Sequence, residues 1–363
     1  MARPRPERSG GPRAARAEHS PRAPRRSARC AVTRFVAQRL AWAIFVVWAT
    51  ASIAFVTSSV LPSDPARMVA GPQARPEDVA RIRVQLGLDQ PVWVRYRLFF
   101  RRLVHLGPAA EKAKDHETCG TLAWVHVDLG KSYQQRRGVV AILADRLPRT
   151  ASLALAAVLV QAAIGVASGT FAATRRGRPA DHLAVAASLV GVSAPTYLIG
   201  LLLQYVLAHR LRVLPLDGFG QTPLEHAQSL VLPALTLGIF GASYYTRLVR
   251  DEMITELRKD YVRTARAKGV SRVGVVVRHA LRNALVPIVT VIGLDLGALL
   301  GGAIVTEQVF RWPGLGSLSV TAVLDRDGPV IMGCVIVTAV AVVTLSLVVD
   351  LAYAALDPRV RKR

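Results

Sequence analysis

The chain is poor in the residues that build soluble catalytic or disulfide-bonded sites. It has 363 residues with only three cysteines, 6% aromatic residues, and 24 acidic residues against 47 basic ones. Three cysteines cannot form a disulfide framework. Cys30, Cys119 and Cys334 fall in a tail, an outer loop and an apolar segment, so no bond within the chain is expected. No His-Glu cluster or Ser-His pair occurs within the apolar segments, which argues against a membrane-embedded enzyme. The one fragment that ends like a phosphate-binding loop, Leu129-Gly130-Lys131-Ser132, fails because the required first glycine is Val125. If ATP is used, it must be hydrolysed on another chain.

Charge is also missing from long stretches, and this absence sets the class. Hydrophobic residues make up 52% of the chain, and the mean hydropathy is +0.32. A membrane span needs about 20 apolar residues to cross about 30 Å of hydrocarbon. Six segments fit: Leu40–Leu61, Ala151–Thr174, Leu183–Ala208, Ala227–Thr246, Asn283–Thr306 and Gly328–Val349. Only the fifth holds a charge, Asp295. The expected fold class is therefore all-α, a polytopic membrane protein with six transmembrane helices. The first apolar run is too long, and starts too late, for a signal peptide.

Basic residues in short loops mark the cytoplasmic side. Residues 1–39 carry net +9, 175–182 net +2, 247–282 net +6 and 357–363 net +3, whereas 209–228 is neutral and 307–327 is net −1. Both termini are thus placed in the cytoplasm. The loop 62–150 carries net +6, but loops of that length cross largely regardless of charge. Sorting and anionic-lipid contact account for the net charge of +23, so no nucleic-acid partner is expected.

Five regions follow. Residues 1–31 form a disordered basic tail, read as an over-extended start in preference to a lipid-contacting arm. Residues 32–61 are the first span. Residues 62–150 are an extracytoplasmic loop with short amphipathic helices. One is expected after Pro76, and another, with Trp93, Tyr96, Phe99 and Phe100 among arginines, is expected to lie at the membrane surface. Residues 107–127 read as an irregular insertion. Residues 151–356 form a core of five spans with the cytoplasmic loop 247–282, and 357–363 form a basic tail. Pro195 and Pro233 are expected to kink their helices, Gln161 to bridge helices, and Gly301-Gly302 to allow close helix contact.

The loop 251–282 carries the functional signal. Met253, Leu257, Tyr261 and Ala265 recur every four residues along one helix face. Gly269 can stop that helix, and a second helix can run from Ser271 to Leu281. Small residues, Thr264, Ala265, Ala267 and Gly269, would let a partner approach closely. The alternative is a basic hairpin on the membrane surface that holds phospholipid headgroups.

Asp295 is the one acidic residue well inside a span, where a charge costs about 2.5–3.5 kcal/mol. It reads either as a pore-lining acceptor for a cationic substrate group or as a packing carboxyl satisfied by Ser or Thr on a neighbouring helix. Trp312-Pro313-Gly314-Leu315-Gly316 reads as an outer gate or docking rim, or as a plain interfacial Trp anchor.

The loop resembles the EAA motif of bacterial ABC importer permeases, in the form found in dipeptide and oligopeptide permeases. Arg263, Thr264 and Ala265 occupy the Glu-Ala-Ala positions and Gly269 the glycine; Leu281-Arg282 replaces the closing Leu-Pro. YVRTARAKG followed by RHALRNALVP is the peptide-permease variant. The likeness extends through DPARMVAGP, LGLDQPVWVRY, DLGKSY, RLPRTASLALAA, GLDLGALLGGAIVTEQVFRWPGLG and DLAYAALDPRVR.

The resemblance implies a MetI-like permease of the subunit type with a long outer loop. It would pair with a second homologous permease subunit, two ATP-binding subunits and an extracytoplasmic solute-binding protein, and carry peptides through a lipid bilayer. ATP and Mg would bind the partner subunits and no cofactor this chain. Tyr261, Arg263, Thr264, Ala265, Ala267, Gly269, His279 and Leu281 would form the ATPase-coupling loop. Asp295 would lie on the substrate path, and Glu307, Trp312, Pro313, Gly314 and Gly316 at the outer gate or docking site. Nickel or glutathione permeases of the same family share these motifs. The rival class, an ion-driven carrier, usually shows inverted repeats and broken helices; no half-to-half similarity is evident, and such a carrier has no role for the loop.

Overall fold

A computed structural model describes residues 25–60, 65–71, 73–106, 119–122 and 125–356. The tail readings for residues 1–24 and 357–363 lie outside the described residues. Helix α1 spans Arg25–Val60, so the helix begins seven residues inside the stretch read as disordered tail. The outer lobe follows as α2 (Pro65–Ala70), α3 (Pro76–Gln85), α4 (Val92–Leu103), β1 (Val104–Leu106), β2 (Cys119–Leu122) and β3 (Val125–Asp128). The strands pair antiparallel in the order β1-β3-β2. The stretch read as an irregular insertion therefore contributes two strands. β2 and β3 pair locally, with Leu122 opposite Val125, whereas β1 joins β3 from across the lobe, with Val104 opposite Val127, a non-local contact that no local periodicity announces.

The core is α5 (Val139–Thr174), α6 (Pro179–Ser193), α7 (Thr196–Leu203) with a π-helical extension to Arg210, and α8 (Pro223–Glu256). Then come α9 (Asp260–Ala267), α10 (Arg272–Gly274), a π-helical turn (Val275–Leu281) and α11 (Arg282–Leu300). Last are α12 (Ile304–Val309), α13 (Leu315–Leu324) and α14 (Gly328–Leu356). Among the described residues, five helices are long and apolar enough to cross a membrane, six if one bent pair counts as a span.

That bent pair corrects the third expected span. Helices α6 and α7 meet at 102°, with Ala194 extended at φ −76°, ψ 129°. Pro195 forces this: it excludes helical geometry from the residue before it and offers no N–H. A broken helix, a feature usual in the rival carrier class, is thus present here without the half-to-half repeats of that class. Pro233, by contrast, lies inside α8, whose helix runs on past it. The fifth span also ends early. Helix α11 stops at Leu300, and Gly302 turns at φ +106°, with its Cα face against Gly316: an added Cβ would stand 3.1 Å from the Gly316 Cα.

Helix α5 lies along α8 on glycines. A Cβ on Gly165 would meet Tyr245 at 2.3 Å, one on Gly169 the Thr246 carbonyl at 2.7 Å, and one on Gly238 Val160 at 2.3 Å. Small residues let helix backbones approach where lipid offers no hydrophobic drive. Tyr245, Val249, Met253, Ala280, Ala284 and Ile288 form a buried cluster that joins α8 to the start of α11.

Helix α4 does not offer its aromatic face to lipid. Tyr96 and Phe99 pack against Phe55 of α1, with centroids 5.5 and 5.6 Å apart, and Ser52 bonds the Tyr96 hydroxyl at 2.8 Å. Only Trp93 of that set stays largely exposed. The Gly-Lys-Ser fragment is a tight turn clamped by Asp327. Its carboxylate accepts from the Ser132 hydroxyl at 2.5 Å and the Tyr133 N–H at 3.2 Å. Cys334 is a buried free thiol.

Candidate functional site

Three constellations stand on this frame. The first is the cytoplasmic knob. The expected single helix over 251–268 is interrupted: α8 ends at Glu256, a turn covers 257–259, and α9 restarts at Asp260. Tyr261 explains the break. Its hydroxyl donates to the Glu256 carboxylate at 2.6 Å, and Lys259 pairs with the same carboxylate. Three side chains thus bind the end of one helix to the start of the next. Glu256 holds Lys259 above the ordinary lysine range. Burial, and then the bond to Glu256, hold Tyr261 above the ordinary phenol range.

Helix α9 ends as the sequence predicts, at Gly269. Its φ of +79° is left-handed. The Gly269 N–H donates to the Arg266 carbonyl at 3.0 Å and the Val270 N–H to the Ala265 carbonyl at 3.2 Å, the paired bonds of a Schellman cap. No atom lies within 4 Å of a Cβ built there, so the turn is open. Ser271 caps the next helix through the Gly274 N–H at 3.2 Å.

The knob has its own small core: Val262, Ala265 and Val275, flanked by Leu257 and Tyr261. Ala265 is therefore part of the packing and not part of an open approach surface. Thr264, Ala267 and Gly269 are exposed, as is Arg263. His279 is half-buried and Leu281 packs on the α8–α11 cluster. Val273, and Val277 of the expected second helix, were not among the expected coupling residues and are 72% and 55% exposed. Their signal was the stretch 273–277, free of charge on a loop that is otherwise basic.

The second constellation is Asp295. Tyr245 donates to its Oδ2 at 2.8 Å and Gln161 to the same oxygen at 3.3 Å. The partners are thus Tyr and Gln, not the Ser or Thr expected of a packing carboxyl. Tyr245 stands 22 residues after Pro223 and 11 before Glu256, and Gln161 stands 22 after Val139 and 13 before Thr174. The carboxylate therefore lies level with the interior of both long helices. Gln161 is buried and bridges helices, as its sequence position suggested.

The third is on the outer side. Glu307 is fully buried. Its Oε1 accepts from the Thr150 hydroxyl at 3.0 Å and its Oε2 from the Ser317 N–H at 2.8 Å. A Cβ on Gly314 would stand 2.4 Å from the Glu307 carboxylate, and one on Gly316 2.9 Å from it. The two glycines let the backbone wrap the carboxylate. Trp312 is 1% exposed and its indole donates to the Arg149 carbonyl at 3.1 Å. Trp312 is thus neither an interfacial anchor nor a rim residue in this chain. Pro313 joins this buried turn to the cradle.

At the cytoplasmic end, Asp181 is buried and takes a two-pronged ion pair from Arg250, 2.6 Å to Nε and 2.9 Å to Nη2, plus the Gly177 N–H at 2.9 Å. Sequence reasoning missed this pair. The only available signal was an acid beside basic residues in a short loop, which has no fixed partner until helices pack.

A bundle of this kind, with a cytoplasmic knob and a long outer lobe, is the membrane subunit of a transport system. The chain belongs to the family described as binding-protein-dependent transport system inner membrane component, matched over residues 165–362, with the N-terminal membrane component of that family matched over 32–154. It is an ABC importer permease of the peptide or glutathione type, a multi-pass inner-membrane protein.

Among its relatives, a Brucella abortus protein with the provisional name peptide transport system permease protein is 38% identical over 333 residues, 91% of this chain and 99% of that one. A glutathione transport system permease protein of Salmonella paratyphi A is 38% identical over 327 residues, 90% and 98% of the two chains. Among solved structures, the inward-facing MetNI methionine ABC transporter is similar at a TM-score of 0.46 and 15% identity, over 62% of this chain and 98% of that one.

Proposed function

We propose that this chain forms half of the pore of an ATP-driven importer of dipeptides or oligopeptides, and that the knob at 251–282 receives the force of ATP hydrolysis. A second homologous permease subunit completes the pore. Two ATP-binding subunits dock below, hold ATP and Mg, and perform the hydrolysis. An extracytoplasmic solute-binding protein delivers the peptide. The knob carries this reading. It has its own core, so it moves as a body, and it presents exposed Val273 and Val277 beside exposed Arg263, Arg266 and Arg272. Exposed apolar residues rimmed by charge mark a protein contact.

Because Tyr261 and Glu256 fasten α9 to α8, and the π-turn continues into α11, a push on the knob reaches two core helices. Such a two-state rigid movement is how a site on one face changes access on the other.

The substrate reading rests on the relatives. One is named for peptides and the other for glutathione, which is itself a tripeptide. Glutathione is therefore the second reading, favoured by equal identity to the glutathione permease. The nickel alternative draws no support from either name.

Purification of the complex from membranes, followed by uptake into proteoliposomes, tests the proposal. ATP-binding subunits should copurify, and ATP should drive uptake of tripeptides. A chain that transports alone, or a complex that carries glutathione but no other short peptide, would overturn the oligopeptide reading.

A further inference from the structure

Asp295 has a feature that its packing role does not use. Both of its donors, the Tyr245 hydroxyl and the Gln161 amide, bind one oxygen, Oδ2. Among the described residues Oδ1 receives no hydrogen bond, no Lys or Arg pairs with the carboxylate, and Oδ1 is not among the enclosed unpaired atoms. Two neutral donors do not replace the hydration of a carboxylate in an apolar span, so a charge left this way requires water or a cation.

Its place on α11 fits an opening. At 100° per residue, Asp295 shares the face of Ala284 and Ile288, both buried, while Leu294 and Ala298 beside it are exposed. The opposite face is closed against α14, where a Cβ on Gly293 would meet Val349 at 2.2 Å. Asp295 therefore stands on the boundary between the packed core and the face that this single chain leaves uncovered. Gln161 is itself fixed: a Cβ on Gly241 would stand 1.8 Å from its Oε1. The carboxylate is held by one oxygen on a rigid support, with the other oxygen presented.

We propose that Asp295 Oδ1 is the acceptor in the translocation path for an organic cation of the solute, an ammonium or a guanidinium. The site would favour solutes with a positive side chain over those with a negative one. The inference rests on the peptide-import reading for its substrate, but its geometry stands independently of it.

The complete importer, with its ATP-binding subunits and binding protein in proteoliposomes, provides the first test. Uptake of Ala-Lys-Ala and Ala-Glu-Ala is compared for the wild type and Asp295→Asn. The variant should lower the Lys-to-Glu uptake ratio about tenfold, the scale of one hydrogen bond to a charged group. An unchanged ratio overturns the acceptor. If the wild type takes up neither tripeptide, the peptide reading fails while a second measurement still decides the acceptor. In the same complex, a water-soluble carbodiimide should modify Asp295, as read by mass spectrometry. Methylguanidinium chloride should slow that modification several-fold relative to sodium chloride of equal ionic strength. No modification of Asp295, or equal rates in the two salts, overturns the proposal.

Discussion

Thr150 and Glu307 lie 157 positions apart in sequence and 3.0 Å apart across a buried hydrogen bond. The Thr150 hydroxyl donates to the carboxylate and accepts from the Leu315 N–H at 2.7 Å. One side chain thus joins α5, α12 and the start of α13. The separate motifs RLPRTASL and EQVFRWPGLG are two halves of this one contact.

Glu307 should be intolerant of small changes. An amide keeps only one accepting oxygen, so Glu307→Gln strands either the Thr150 hydroxyl or the Ser317 N–H. A lost buried partner costs about 1–3 kcal/mol. The thermal midpoint of the purified chain should drop by several degrees, and further for Glu307→Ala. Gly314→Ala should act alike, because its Cβ meets the carboxylate. An unchanged midpoint for all three would show that the cradle contributes no stability.

Gly269→Val should uncouple the knob. The space around the turn is open, so the effect comes from backbone strain at φ +79°, about 1–2 kcal/mol or more for a branched residue. The chain should still insert, while ATP-driven uptake falls severalfold and Gly269→Ala falls less. Full substrate-stimulated ATP hydrolysis in the Val variant would remove the turn from the coupling path.

Val273→Glu tests the docking face without touching the core, because the side chain is 72% exposed. Thermal stability of the isolated permease should hold within about 0.5 kcal/mol, as for other surface changes. Copurification of the ATP-binding subunits should weaken. Undiminished copurification would place the contact elsewhere on the knob.

Asp181 is buried, whereas Arg250 is 22% exposed and also pairs with Asp251 at 2.9 Å, so removing Asp181 leaves the arginine partly satisfied. Asp181→Ala should destabilise the fold by about 1–3 kcal/mol, because the Gly177 N–H loses its acceptor and Arg250 loses its two-pronged contact. Arg250→Lys should also lose stability, because an ammonium cannot match the two-pronged contact. Limited proteolysis between Arg175 and Arg178 should quicken in both variants. Wild-type cleavage rates would show that the pair does not hold that turn.

The Lys259–Glu256–Tyr261 junction fixes the pH response of the knob. Both Lys259 and Tyr261 titrate above their ordinary values, 10.5 and 10.0. A raised folded value means the contribution is complete below the unfolded value and disappears as pH rises through the folded one. The knob's contribution to coupling should therefore stay flat from about pH 6 to about pH 9, and Tyr261→Phe should lower coupling equally across that range. A loss of coupling in the wild type on going from neutral to mildly alkaline pH, absent from Tyr261→Phe, would contradict this assignment.

The number of apolar segments and the turn at Gly269 were legible in the sequence, because each is a local property. Hydropathy over about 20 residues reflects the solvent that surrounds a helix, and a glycine after an amphipathic run offers the left-handed cap. The broken third span was half legible: Pro195 announced a disturbance, but not a 102° turn. The partners of Asp295 were not legible, since Gln161 and Tyr245 lie 134 and 50 positions away.

The sequence by itself determined that the chain lives in a bilayer, which side its basic loops face, and that one helix stops at Gly269. Only the tertiary structure decided that Trp312 and Glu307 are interior, that Ala265 is core, and that Asp295 keeps one oxygen free. Composition and caps act within a few residues, through solvation and backbone geometry. The state of a polar side chain depends on which distant helix the packing brings beside it.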